Sequence, residues 1–230
     1  SLLVNSPNNP TGVVYSRKTL EGIAQVCRDH DMWLISDEVY DTQVWEGAHL
    51  SPRALDGMAE HTLVVGSMSK SHAMTGSRCG WIVGPEAAID HAANLSLCML
   101  YGLPGFVQQA ALVALDQSDA VVAEARATYA ARRDALLAAL GEAPGVAALS
   151  PEAGMFLMLD IRGTGMSARD FAWSLLREAG VSVLDATAFG PSAAGHVRLS
   201  FTLGEEALAE AGRRITAFCR SRAAAGGATS

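Results

Sequence analysis

A lysine set among serines, Gly66-Ser67-Met68-Ser69-Lys70-Ser71, is followed eight residues later by the arginine of Thr75-Gly76-Ser77-Arg78-Cys79-Gly80-Trp81. An amine, neighbouring hydroxyls and a guanidinium one loop away suit a phosphorylated aldehyde. The amine condenses with the carbonyl, and the hydroxyls and guanidinium hold the phosphate dianion. Pyridoxal 5'-phosphate (PLP) is such a molecule. Serine- and lysine-rich loops after strands are commonly solvated turns, so the run gains weight only from its company upstream.

Two upstream pieces supply that company. Asn5-Ser6-Pro7-Asn8-Asn9-Pro10-Thr11-Gly12 follows the apolar run Leu2-Leu3-Val4, and Ser36-Asp37-Glu38-Val39-Tyr40 follows Met32-Trp33-Leu34-Ile35. PLP withdraws electrons while its ring nitrogen stays protonated, and a carboxylate against that nitrogen keeps it so. Asp37, at the C-terminal end of a buried strand, is placed for this, because open α/β sheets bind ligands beyond those ends. Tyr40 can offer a phenol, and Asn9 an amide N–H, to the ring oxygen. Asn9 lies 28 residues before Asp37, which lies 33 before Lys70; each gap holds about one strand-plus-helix unit. The alternatives are ordinary ones: Asp37 as a strand-end turn residue, Asn9 as the shaper of an Asn-Pro turn, Arg78 as a salt-bridge partner.

Together with Val197-Arg198-Leu199-Ser200-Phe201 near the end, these motifs stand in one order across nearly the whole chain. That chain resembles the fold-type-I PLP enzymes of aminotransferase class I/II. The resemblance implies an α/β, aspartate aminotransferase-like fold, with part of a large domain of mixed, mostly parallel sheet and a smaller α+β C-terminal domain. It implies Lys70 as Schiff-base lysine and proton carrier, Asp37 on the pyridine nitrogen, and Asn9 and Tyr40 on the ring oxygen. Ser67 and Arg78 would hold the phosphate. Arg198, with Asn9 beside the substrate, would clamp its α-carboxylate, a task for which a planar fork suits better than an ammonium. An arginine within an apolar strand is costly unless paired, which favours a ligand there.

A narrower resemblance, carried by Ser69–Gly76, Ser96–Gly102 and Phe189–His196, is to family members that take arginine as amino donor and pyruvate as acceptor. The chain departs from the wider pattern at Asp185-Ala186, where many relatives have Pro-Gly, and at Ser77, where tryptophan is common. Asp185 is either a strand-end structural residue or a carboxylate for a substrate guanidinium. A PLP-dependent carbon–sulfur β-lyase shares every motif named, and an aminotransferase-like domain of a transcriptional regulator is a further alternative.

Half of the 230 residues are apolar, yet no run approaches the roughly 20 that a membrane helix needs. The net charge of −7 argues against a nucleic-acid surface. Cys27, Cys79, Cys98 and Cys219 show neither C-x-x-C nor metal-ligand spacing, which reads as reduced, mostly buried thiols in a cytoplasmic protein without a metal. No basic n-region followed by an apolar h-region opens the sequence, so no signal peptide is expected. Its relatives by resemblance carry a long N-terminal half with a phosphate-binding helix end, so the chain reads as the C-terminal part of a longer protein, homodimeric when whole. The expected partners are amino-acid and 2-oxoacid substrates.

These residues need elements to position them. Strands are expected at 2–5, 32–36, 62–66 and 79–83 in a sheet covered on both faces, with helices over 17–30 and 85–95. The alanine-rich 106–140 stretch reads as two helices or one, its later part connecting two domains. Beyond it come strand 154–161, helix 167–179, strands 181–184 and 196–201, and helix 204–222. The expected domains are 1–118, the C-terminal part of the PLP-binding domain, and 119–222, with 223–230 a disordered tail.

Overall fold

The apolar Leu2-Leu3-Val4 run forms β1 (Leu2–Asn5) before the Asn-Ser-Pro segment turns the chain. In the computed structural model, which describes residues 1–227 with side chains to Ala224, α1 (Arg17–Asp29) follows. Its start is fixed by Ser16, whose hydroxyl accepts from the Thr19 backbone N–H at 3.1 Å. Leu20, Ala24 and Cys27 recur at helical spacing on its buried face. Then come β2 (Leu34–Asp37), β3 (Thr62–Ser67), the single turn α2 (Met68–Ser71) and β4 (Gly80–Val83).

The four strands make one sheet in chain order, β1, β2 and β3 parallel and β4 antiparallel to β3. Val4, Leu20, Ala24, Cys27, Leu34, Leu55 and Met58 pack together as the core of this unit. Coverage on both faces, expected from the sequence, fails at β4: all four of its residues are exposed, and it is an edge strand among the described residues. α3 (Glu86–Leu100) runs five residues past the expected end, since no glycine or proline interrupts it before Gly102. The alanine-rich stretch forms two helices, α4 (Gly105–Asp116) and α5 (Ser118–Leu140).

A second sheet follows: β5 (Ala147–Leu149), β6 (Phe156–Asp160), β7 (Leu184–Asp185) and β8 (His196–Ser200), antiparallel in the order β5-β6-β8-β7. Ser167 caps α6 (Ala168–Ala179) by accepting from the Asp170 N–H at 3.1 Å while donating to its carboxylate, and Gly180 ends the helix at φ 66°. The last helix, α7, spans Glu205–Gly227. Phe171 of α6 is fully buried, edge-on to Phe218 of α7 with centroids 5.5 Å apart. Phe171→Ala is expected to cost about 3–5 kcal/mol, read from the urea midpoint of the protein.

The chain divides into two compact units, Ser1–Asn8 with Val13–Arg126, and Asn9–Gly12 with Ala127 onward. The division lies eight residues beyond the expected 118/119, within the continuous helix α5, and Asn9–Gly12 joins the unit of the later sequence. The expected tail at 223–230 is corrected as well. Helix continues through Gly227, in keeping with the high helix propensity of Ala223–Ala225, and residues 228–230 lie outside the described residues. Cys27 and Cys219 are buried, and burial pushes the Cys219 thiol up to about 11; Cys98 is exposed. Among the described residues no helix is long and apolar enough to cross a membrane, and no cluster of metal-ligating residues is found.

Candidate active site

Sheet direction gathers the first group of residues. Parallel pairing sets Asn5 against Asp37 and Asp37 against Val65, so β1, β2 and β3 all end at one edge. At that edge stand Asp37 and, two residues past its partner, Ser67, which leads straight into α2 and Lys70. β4 runs the other way, with Gly80 opposite Ser67, and so brings Arg78 and Cys79 to the same edge. Three parallel strands and one antiparallel strand thus collect Asp37, Ser67, Lys70 and Arg78 without any one segment containing them all.

Local hydrogen bonds fix each member. Asp37 is half-buried, and its Oδ1 accepts from the Val39 N–H at 3.2 Å. Tyr40 is buried at the next bend, where Asp41 N donates to the Glu38 carbonyl and Gln43 N to the Tyr40 carbonyl. The Ser67 hydroxyl accepts from Ser69 N at 3.0 Å and donates to the Cys79 carbonyl at 3.3 Å, which joins the two arms of the edge. Arg78 is held at φ 53°, in the left-handed region, and donates to the Thr75 carbonyl at 3.1 Å. Such a backbone is costly for a residue with a Cβ and is found where surroundings impose it. Ser67, Ser69, Arg78, Trp81 and Ile89 line one groove of about 470 Å³.

Glu38 faces a different set of partners. Its carboxylate is buried and accepts from Ser51 Oγ at 2.7 Å and from His49 Nε2 at 2.9 Å. Burial alone would raise its pKa, but hydrogen bonds from His49 and Ser51 outweigh that and hold it below the ordinary glutamate range. A carboxylate depressed in the folded state stabilises the fold above its unfolded pKa of about 4.3, and that stability drains as pH falls through the lower folded value. Between pH 6 and pH 3, wild-type protein should therefore lose more thermal stability than Glu38→Gln. Parallel Tm curves for the two would contradict this.

The second unit builds around Arg198. It sits on β8 between two aromatic rings, its guanidinium carbon 4.0 Å from the Phe156 centroid and 5.1 Å from that of Phe189. Nη1 donates to Asn9 Oδ1 at 2.9 Å across 189 residues. That bond uses the acceptor end of the Asn9 amide; its nitrogen is the donor end. Asn9 reaches this position in a turn that only glycine can close: Gly12 has φ 73°, and a Cβ on it would lie 2.3 Å from Pro151 Cβ. Asp185 is committed to a cap, its Oδ1 accepting from Thr187 N at 2.9 Å and Thr187 Oγ1 at 2.7 Å.

The model of the family described as aminotransferase class I and II matches residues 1–215. The chain belongs to that family. Over 215 residues it is 52% identical to the arginine–pyruvate transaminase AruH of Pseudomonas aeruginosa, covering 94% of this chain and 55% of that protein. It is 41% identical to a probable aspartate/prephenate aminotransferase of Thermus aquaticus, again over 94% of this chain and 55% of the relative. Among solved structures, an aromatic aminotransferase from Pyrococcus horikoshii superposes with a TM-score of 0.91 at 36% identity, covering 96% of this chain and 60% of that one. The Thermus thermophilus aspartate aminotransferase with maleate gives 0.87 at 40%, covering 95% and 56%. The aspartate aminotransferase-like α/β fold expected from the motifs is thereby established. The chain spans little more than half the length of the relatives it matches.

Class I and II aminotransferases use PLP, and the donor set here fits it. A guanidinium and serine hydroxyls around one groove match a phosphate dianion. A carboxylate at the end of β2 and an amine after β3 share that sheet edge. Several residues beyond the expected set contact it or its neighbours. Gln43 touches Lys70, Phe156 and Phe189 flank Arg198, and His72 bridges Ser71 Oγ at 2.8 Å to Ser118 Oγ at 3.2 Å. For the phenylalanines a signal existed, since aromatic residues are candidate stacking partners for an arginine set in an apolar strand. For Gln43 there was none.

Proposed function

We propose that the protein is a PLP-dependent aminotransferase that moves the α-amino group of an L-amino acid to a 2-oxoacid by a ping-pong route, with arginine as donor and pyruvate as acceptor. The single observation that carries this is the gathering of Asp37, Ser67, Lys70 and Arg78 at one sheet edge. The 52% identity to an arginine–pyruvate transaminase supports the choice of substrates. When bound, PLP supplies an aldehyde that carries the amino group and a ring that withdraws electrons from the substrate Cα.

Each side chain then has a task. Lys70 would hold the cofactor at rest and, once displaced by the donor, would take the proton from the substrate Cα and deliver it to the carbon of the former aldehyde, across the intervening nitrogen. Asp37 keeps the ring nitrogen protonated. Tyr40 and Asn9 donate to the ring oxygen, and Ser67 and Arg78 bind the phosphate. Arg198 takes the α-carboxylate in a bidentate grip, with Phe156 and Phe189 holding its plane. Donor and acceptor use the same groups in turn, which makes the kinetics ping-pong.

The same resemblance supports a homodimer and a cytoplasmic location. The deciding experiment feeds arginine labelled with nitrogen-15 on its α-amino group, plus pyruvate, to the purified holoenzyme. Labelled alanine is the expected product. Ammonia released together with pyruvate from a cysteine conjugate, and no labelled alanine, would make the protein a β-lyase instead.

A further inference from the structure

A one-turn helix leaves carbonyls that its own backbone cannot satisfy. α2 ends at Ser71, and the N–H groups that follow turn back past Lys70: His72 and Met74 both donate to the Met68 carbonyl, at 3.2 Å each. The Lys70 carbonyl accepts instead from Gln43 Nε2 at 2.9 Å, a bond spanning 27 residues. Gln43 is 1% exposed, and its Oε1 is buried without a hydrogen-bond partner among the described residues. Burying an amide with half its capacity unmet is unfavourable. The bond Gln43 does make with its side chain goes to the backbone of the lysine.

Gln43 is itself anchored at the other end of the constellation. Its backbone N–H donates to the Tyr40 carbonyl at 2.9 Å, and just before it Asp41 N donates to the Glu38 carbonyl at 3.0 Å. Two overlapping tight turns therefore carry the chain from Glu38 to Gln43. Glu38 is in turn clamped by His49 and Ser51. A continuous path of short contacts runs from the Asp37–Tyr40 turn through Gln43 to Lys70.

We propose that Gln43 is a positioning residue for Lys70: its amide pins the α2 carbonyl to the Asp37–Tyr40 turn, so that amine and carboxylate keep one relative geometry. This rests on the role given to Lys70 above. Gln43→Met keeps the length and volume of the side chain but offers no donor. In the purified holoenzyme it should lower kcat by on the order of tenfold to a hundredfold, as misplacement of a reacting group does. KM for the amino donor should stay within about twofold, because ground-state binding is untouched. The pH midpoint of the bound cofactor's visible absorbance should move as well, which a purely structural loss would not cause.

Gln43→His, which retains a ring N–H, should recover most of the lost kcat. Gln108→Met, which deletes an amide-to-carbonyl bond to Leu103 on the exposed start of α4, should change neither quantity. Should Gln43→Met fail to fold, Gln43→Asn, whose amide stops a methylene short, takes its place. Wild-type kcat and absorbance midpoint in the donorless variant, or no recovery in Gln43→His, would overturn the proposal. A visible band that survives Lys70→Ala would overturn the lysine assignment itself. A band that needs Lys70 but ignores Gln43 refutes only the inference drawn here.

Discussion

Lys70→Ala is expected to remove the visible absorbance band of the holoenzyme and to lower kcat by on the order of 10,000-fold. Two losses combine in that figure. The covalent attachment disappears, so the cofactor is held by its phosphate and ring contacts alone. The group that carries the Cα proton disappears with it, and general acid–base catalysis by itself is worth about 100-fold to 10,000-fold. The residual rate should respond to added small primary amines, which can replace a missing proton carrier but not a missing phosphate site. Spectrophotometry and borohydride labelling followed by peptide mapping check this directly. A labelled lysine other than Lys70 would remove the basis of the proposed function.

The second large effect belongs to Arg198. Arg198→Ala should raise KM for amino-acid donors on the order of a hundredfold, because hydrogen bonds between charged groups contribute about 1.5–3 kcal/mol each. The truncation also strips the donor from Asn9 Oδ1 and empties the slot between Phe156 and Phe189. Arg198→Lys keeps the charge but loses the fork, so it should recover only part of the affinity. The contrast that isolates the carboxylate is a primary amine lacking one: its low rate should be nearly the same in wild type and Arg198→Ala. An equal loss for both substrates would mean that Arg198 supports the fold and not the substrate.

Much of the candidate site is legible in short stretches of sequence because each stretch is a strand end and the loop after it. Leu34-Ile35-Ser36-Asp37 shows both an apolar strand and the carboxylate at its end, and Val64-Val65-Gly66-Ser67 does the same for the lysine turn. The capping of α6 by Ser167 and Gly180 is equally local. Longer-range features left no such mark. The five extra residues of α3 follow from the lack of a breaker, a weak signal at any helix end. The continuation of α7 past 222 depends on alanines that would suit a helix or a tail. The exposure of β4 depends on what lies beside it, which its own Gly-Trp-Ile-Val sequence does not say.

Residue types and order alone determined the family, the fold class and which amine to propose as reactive, because that chemistry needs particular functional groups at the ends of consecutive strands. Tertiary structure decided which groups meet. It joined Asn9 to Arg198 across 189 residues, set Arg198 between two phenylalanines, and gave the carbonyl of Lys70 to a glutamine 27 positions away. Such pairs leave no periodicity or motif behind, since a hydrogen bond is specified by distance and direction in space, and the chain path that brings its two halves together is written in the packing of the elements between them.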